Sequence, residues 1–222
     1  MGSVGNQLNI PSMNSDDYHQ FNYGRPEPWL RENTNWSDLS PETSEERTSV
    51  EWYTSAGYGD INYELYHDQW DNIPDFDQAN IQNIQNFLSR SELYSGVEVT
   101  RGTDFTIFGS DERTMSVDDI KAFLLPTDGV VQNDAFMSFT VMPDAKGIFG
   151  RNMLQIKLRI PPSKGAGAYI ADYSTHDGER EFLLNNNAVL KFDTNSIKQR
   201  EDGKIEITAY WLGQAKKRTI DK

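Results

Sequence analysis

The stretch Leu154–Leu184, "LQIKLRIPPSKGAGAYIADYSTHDGEREFLL", decides the reading of the fold. It opens on strict alternation. Leu154, Ile156, Leu158 and Ile160 fall on one face, and Gln155, Lys157 and Arg159 on the other. That is the period of a half-buried strand. "KGAGAY" (Lys164–Tyr169) reads as a turn that enters the next strand. Working outward, "IEITAYW" (Ile205–Trp211) alternates in the same way, and "VEVTRG", "AFMSFTV", "AYIAD", "EFLLN" and "AVLKF" predict further short strands. Helical signals lie ahead of most of them. In "DQANIQNIQNFLSR", Ile81, Ile84 and Leu88 recur on one helical face with Phe87 beside them, and Asp77 offers an N-cap. "SVDDIKAFLLP" predicts a second helix, capped by Ser116 and stopped by Pro126. The aromatic-rich run Ser49–Trp70 is partly helical, with Gly57 and Gly59 predicting a break or tight packing near its middle. Helices first and strands later, without βαβ alternation, predict an α+β domain with largely antiparallel sheets.

Residues 1 to about 46 are rich in Asn, Ser, Asp, Glu and Pro and show no apolar period. They predict a flexible polar arm ahead of a folded domain over residues 47–222. Trp29, Leu30 and Trp36 stand out in the arm, either docked on the body or free to bind a partner, with docking favoured. The chain has 222 residues, 25% charged and 12% aromatic, as in folded globular proteins. A net charge of −13 disfavours tight nonspecific binding to nucleic acid, although Arg151, Lys157 and Arg159, or the "KKR" run Lys216–Arg218, could form a local basic patch. The absence of cysteine excludes disulfides, thiolate metal sites and cysteine nucleophiles. His19, His67 and His176 lie far apart without ligand spacing, so no metal is expected. No apolar run approaches the roughly 18 residues that span a bilayer, so no membrane partner is expected. No signal peptide is visible. The expected location is the cytoplasm of the producing cell, or a target cell reached by another route.

The common nucleotide and hydrolase signatures, GxGxxG, GxxxxGK[ST] and GxSxG, do not occur. What remains is an ordered set: "VTRG" with Arg101, "FMSFT" with Ser138 and Thr140, "GIFGR" with Phe149 and Arg151, and "GERE" with Glu179 and Glu181. Alone, each is ordinary: a surface arginine, a hydrogen-bonded strand wall, a solvated strand face. Their order and surroundings, over roughly residues 50 to 212, closely resemble the mono-ADP-ribosyltransferase exoenzymes. That family includes the enzymatic components of binary toxins, Rho-modifying exoenzymes and phage-encoded relatives. "INYEL" (Ile61–Leu65) and the tyrosines before it also look like the family's helical lead-in.

The resemblance implies an ADP-ribosyltransferase-like α+β fold, with N-terminal helices packed on two mostly antiparallel sheets that form an NAD cleft. It also implies site roles. Glu181 is the catalytic glutamate beside the ribose, and Ser138 orients it. Arg101 grips the NAD phosphates, with Gly102 allowing close backbone approach and Arg151 a second contact. Phe149 covers the nicotinamide end, and Glu179 serves the acceptor. On a continuous strand, Glu179 and Glu181 would share a face about 7 Å apart, with Arg180 pointing away. Glutamate at the position of Glu179 goes, in the family, with arginine acceptors. "DYSTHD" (Asp172–Asp177) is the expected recognition loop, with Tyr173 either its exposed aromatic or a packing residue. Two departures stand out. The family's Ser-Thr-Ser strand is Ser138-Phe139-Thr140, and Arg151 sits one place before the family arginine, where Asn152 falls.

The chemistry accounts for these residue types. Nicotinamide leaves NAD neutral and needs no general acid, while the ribose develops positive charge, as in glycoside hydrolysis. A fixed carboxylate stabilises that charge, cations hold the pyrophosphate and a flat aromatic holds the nicotinamide. The expected activity is therefore transfer of ADP-ribose from NAD to an acceptor, with protein arginine first. Alternatives are a nucleic-acid acceptor, NAD glycohydrolysis, or a non-catalytic β-sandwich binding module. A toxin, effector or phage setting is implied, with an antitoxin or immunity protein expected if the enzyme acts in its own host.

Overall fold

The computed structural model describes residues 11–21, 24–67, 70–108, 114–142, 153–175, 178 and 180–215. The expected order of helices and then strands holds. After a short strand β1 (Tyr18–His19) come helices α1 (Glu27–Asn33), α2 (Ser44–Trp52), α3 (Tyr58–His67) and α4 (Asp75–Ser89). Strands β2 (Glu92–Leu93) and β3 (Gly96–Thr103) follow, then α5 (Val117–Leu124). The remainder is strand: β4 (Val130–Asn133), β5 (Met137–Thr140), β6 (Leu154–Ile160), β7 (Ser163–Lys164), β8 (Gly167–Tyr169), β9 (Glu181–Leu184), β10 (Ala188–Gln199) and β11 (Ile205–Gln214). Ser116 caps α5 in a reciprocal capping box with Asp119, as its sequence predicts. The α4 expectation is corrected at its start. Pro74 is the N-cap, and Asp77 lies inside the first turn, where its negative charge suits the helix N-terminus.

The run across Gly57 does not break. A π-helical turn, Tyr53–Gly57, joins α2 to α3. Gly57 lies against the Trp52 indole, where a Cβ would come within 2.4 Å of ring carbon. The glycine therefore serves close packing, and the wide turn sets the direction of Tyr53, which is buried.

The main sheet runs β4-β10-β11-β6-β3-β5-β9-β8, with β1 beside β3, and β2 and β7 form a separate ribbon. The β11–β6 and β1–β3 pairs are parallel, and the other pairs among the described residues antiparallel. β3 pairs with β6 along its whole length, Val97–Thr103, but with β5 at a single position, Thr100 opposite Thr140. The sheet thus falls into two portions hinged at that one pair. One apolar cluster runs across both portions, around Val99, Ile156, Leu158, Phe182 and Ile207. A second joins the helices to β8 and β9 through Val50, Tyr53, Ile81, Phe87, Ala168 and Leu183. All four residues of β9 are buried, because it has a cluster on each face.

The N-terminal segment is docked at several points, as favoured for Trp29, Leu30 and Trp36, although residues 12–17 are exposed. β1 adds to the β3 edge, close enough that a Cβ on Gly96 would meet the Asp17 carbonyl at 2.4 Å. Leu30 is buried in the first cluster, with Trp29 and Trp36 against it. Arg90, at the end of α4, holds both carboxylate oxygens of Glu46 at 3.0 and 2.6 Å and reaches the Ser40 carbonyl. Sparse apolar residues conceal the docking from composition, because a few well-placed side chains and backbone hydrogen bonds accomplish it.

Leu30→Ala should cost about 2 to 5 kcal/mol in urea unfolding, and a loss near zero would return the segment to a loosely attached arm. Burial alone would raise the Glu46 pKa, but hydrogen bonds from Arg90 and the Glu42 backbone, with the Arg90 charge, outweigh it and hold the carboxyl below its ordinary value. The folded pKa is depressed, so this contribution is present above the unfolded value near 4.5 and is lost as pH falls through the lower folded one. Glu46→Gln should therefore lower Tm at pH 7, and the gap to wild type should close in acid. A gap unchanged from pH 7 to pH 3 would contradict this.

Candidate active site

The site is built where the sheet hinges. Thr140 is opposite Thr100 on one side and Glu181 on the other. Residues two apart on a strand, and residues directly opposite across a pair, share a face. Ser138, Thr140, Glu181 and Leu183 therefore line one face of β5 and β9, the face toward the helices, since Leu183 belongs to the helical cluster. Phe139 and Phe182, opposite each other, face the first cluster. The phenylalanine that interrupts the expected Ser-Thr-Ser pattern is thus a core residue.

Glu181 is 4% exposed. A buried carboxylate requires polar company, and three elements supply it. From β3, Arg101 donates through Nη1 to the Ser138 carbonyl at 2.6 Å. From the π turn, the Tyr53 hydroxyl comes near Ser138, within reach of the charges of Glu181 and Arg101. From α3, Asn62 donates through Nδ2 to the Tyr53 hydroxyl at 3.0 Å, and its Oδ1 accepts from the Phe136 amide at 3.2 Å. Burial raises the Tyr53 pKa far above its ordinary value, so the phenol stays protonated. Asn62 thus anchors the Tyr53 hydroxyl and Arg101 is anchored on the Ser138 backbone, two hydrogen-bonded pairs near Glu181. Arg101 keeps a second, free function: its Nε is buried and has no hydrogen-bond partner. A buried guanidinium donor left unpaired is costly, and it suits an anionic ligand such as a phosphate.

The sequence-derived site residues divide. Arg101, Ser138, Thr140 and Glu181 are brought together at the hinge. Gly102 lies beside Arg101 on β3, opposite Gln155. The Thr140 hydroxyl is spent on its own turn, accepting from the Met142 amide at 3.1 Å and donating to the Met142 carbonyl at 3.2 Å. It therefore holds the chain leaving β5. Tyr173 takes the packing alternative. Its ring meets Phe87 edge-on at 5.6 Å, Arg47 lies over it at 5.2 Å and its hydroxyl donates to the Leu39 carbonyl. Phe149, Arg151 and Glu179 lie outside the described residues, as do His176 and the run Lys216–Arg218.

The strand geometry expected for the paired glutamates needs correction. β9 begins at Glu181, and Arg180 has φ of +50°, in the left-handed region. Alternation does not continue back through Arg180, so a shared strand face cannot be invoked for Glu179 and Glu181. Tyr53 and Asn62 were missed by the sequence reading. The available signal was the aromatic-rich lead-in, in which "WYTSAGYGDIN" sets the two nine residues apart on what proves to be one helical run.

The comparisons with known proteins agree with this fold. The family model described as ADP-ribosyltransferase exoenzyme matches residues 19–214, so the chain belongs to that family. Similar solved structures include Plx2a, an ADP-ribosyltransferase toxin from Paenibacillus larvae, at 24% identity over 84% of this chain and 94% of that one, with a TM-score of 0.69. The C3 exoenzyme of Clostridium limosum is 18% identical over 87% and 97%, with a TM-score of 0.69. C3stau2 from S. aureus, solved with NAD, is 18% identical over 89% and 100%, with a TM-score of 0.68. At these identities the likeness is one of fold. A search of curated proteins found no match. The β-sandwich alternative is set aside: four helices precede β2 and bury a cluster of their own against the sheet. No group of side chains among the described residues could hold a metal ion, and no helix among them is long and apolar enough to cross a membrane.

Tyr53→Phe leaves the Asn62 amide without its acceptor in a buried setting. It should cost about 1 to 3 kcal/mol in urea unfolding and lower the rate of ADP-ribosyl transfer. An unchanged unfolding midpoint together with unchanged turnover would show that the hydroxyl holds nothing in place.

Proposed function

We propose that the protein transfers ADP-ribose from NAD to an arginine of a target protein, with release of nicotinamide. The observation that carries this reading is the buried Nε of Arg101, without a hydrogen-bond partner among the described residues, with the buried carboxylate of Glu181 close enough that both charges act on the Tyr53 hydroxyl. That is a donor for a phosphate beside a fixed negative charge for a ribose. NAD supplies a C1′–nicotinamide bond whose electron pair departs with the ring.

Arg101 binds the pyrophosphate through Nε, while its Nη1 stays anchored on the Ser138 carbonyl. Glu181 accepts from the ribose 2′-hydroxyl and offsets positive charge as the bond breaks. Its position is fixed beforehand by the strand on each side, because Ile170 donates to its carbonyl and Thr140 is its partner on β5. Ser138, Tyr53 and Asn62 hold the neighbouring polar groups in register. On the sequence pattern, Phe149 covers the nicotinamide end and Arg151 adds a second phosphate contact. Glu179 orients the acceptor guanidinium and takes its proton as the nitrogen bonds to C1′.

The arginine acceptor rests on the Glu-x-Glu pattern of "GEREFLL". A toxin or effector role is supported by the family and by the toxin among the similar structures. A producing cell exposed to such an activity in its own cytoplasm would need a neutralising partner.

The test is incubation of labelled NAD with a cell lysate and the wild type, Glu181→Gln or Glu179→Gln protein. Wild type should label a protein band, and hydroxylamine, which cleaves arginine-linked ADP-ribose, should remove the label. Glu181→Gln should lose both labelling and nicotinamide release, and Glu179→Gln should lose labelling while keeping hydrolysis. Label in the nucleic-acid fraction would overturn the arginine acceptor. No cleavage of NAD by folded wild type would overturn the whole reading.

A further inference from the structure

Arg180, one peptide bond before Glu181, is held by a group from the segment that composition alone assigns to a flexible arm. Its Nη1 donates to Oε1 of Glu27, the first residue of α1. The Tyr169 hydroxyl, at the end of β8, donates to the same oxygen at 3.3 Å, and the Arg180 charge acts on it. The three side chains line an open cleft with Ala171, Asp172 and Gly178. The Arg180 carbonyl accepts from the Val141 amide at 3.2 Å. Both ends of the residue are thus tied down in a backbone conformation, φ +50°, that side-chain-bearing residues seldom adopt.

We propose that Glu27 is a positioning residue for the acceptor half of the reaction: it clamps Arg180 in its left-handed turn and so fixes the chain that leads back to Glu179. The two carboxylates depend on different supports. Glu181 is held by sheet hydrogen bonds to β5 and to Ile170, none of which involves Glu27. The turn before it lies outside β9. Among its described residues, Thr175 is held by Thr54, and Arg180, next to Glu181, by Glu27. Glu27 itself stands on α1, which is anchored by the burial of Leu30. Loosening the clamp should therefore spare bond cleavage and impair delivery to the acceptor. That makes docking of the N-terminal segment a determinant of transfer against hydrolysis. This inference rests on the proposed arginine-transfer reaction for its activity readout, but the clamp itself can be measured without it.

The experiment uses the full chain as wild type, Glu27→Gln, and the charge-swapped pair Glu27→Arg with Arg180→Glu. Amide hydrogen exchange over the peptide 175–183 is read first, with no acceptor present. Labelling of protein and nicotinamide release to water are read next. For Glu27→Gln, exchange in the peptide should quicken while β5 stays protected. Labelling should fall about tenfold, as expected for misplacement of a reacting group, with hydrolysis within about twofold of wild type. The swapped pair should recover part of the protection. Unchanged exchange over 175–183 in Glu27→Gln overturns the clamp, whatever the acceptor proves to be. Labelling and hydrolysis that fall together in folded protein overturn its selective role. Wild type that cleaves NAD but labels no protein refutes the arginine reading alone, and the exchange result still decides the clamp.

Discussion

The site hangs on one backbone pairing. Thr140 is the only residue of β5 paired with β3 among the described residues, and it is also the residue opposite Glu181. Everything chemical follows from that coincidence. With a single pair joining β3 to β5, the ladder is nearly interrupted between the β5–β9–β8 portion and the larger one. The pair sets Arg101, one residue past Thr100, beside the Ser138 carbonyl. A second or third pair between β3 and β5 would have extended the sheet across the space that the site occupies.

Around the hinge, burial and polarity are balanced locally. β9 is buried on both faces, so a carboxylate at its first residue is costly unless its neighbourhood is polar and fixed. The helices meet that demand from the other side. A π turn brings the Tyr53 hydroxyl to Ser138, and Asn62, further along the same helical run, completes its hydrogen bonding. Wide turns of this kind inside helices tend to mark functional positions. Here the turn aims a buried phenol toward the face that carries Ser138 and Glu181. The N-terminal segment is part of the same construction, through β1 on the edge of β3, Leu30 in the core and Glu27 on Arg180.

The parts that were legible in the sequence are those with a strict period or a local cap. Strand β6 matches its alternating residues to the end, and α5 starts at its predicted cap. Arg101, Ser138 and Glu181 could be found because motif order preserves what spacing alone does not. Other features depend on contacts distant in sequence. The packing of residues 11–46 rests on a handful of contacts such as Arg90 with Glu46, 44 positions apart. Tyr173 could not be assigned to packing or to recognition, because its partners are Phe87 on α4 and Arg47 on α2. The start of β9 only at Glu181 was not foreseen because the sequence does not announce a left-handed arginine. Glycine or asparagine would have done so, whereas Arg180 is held there by Glu27 and the Val141 amide.

We propose that the hinge between β3 and β5 is the NAD site, with Arg101 taking phosphate and Glu181 the ribose. The most direct measurement is a crystal structure of Glu181→Gln soaked with NAD, in which the dinucleotide should survive uncleaved. The account predicts a pyrophosphate oxygen within hydrogen-bond distance of the Arg101 Nε, and the nicotinamide ribose against residue 181. A dinucleotide bound elsewhere with that Nε still unpartnered, or a folded protein that takes up no NAD, would contradict it.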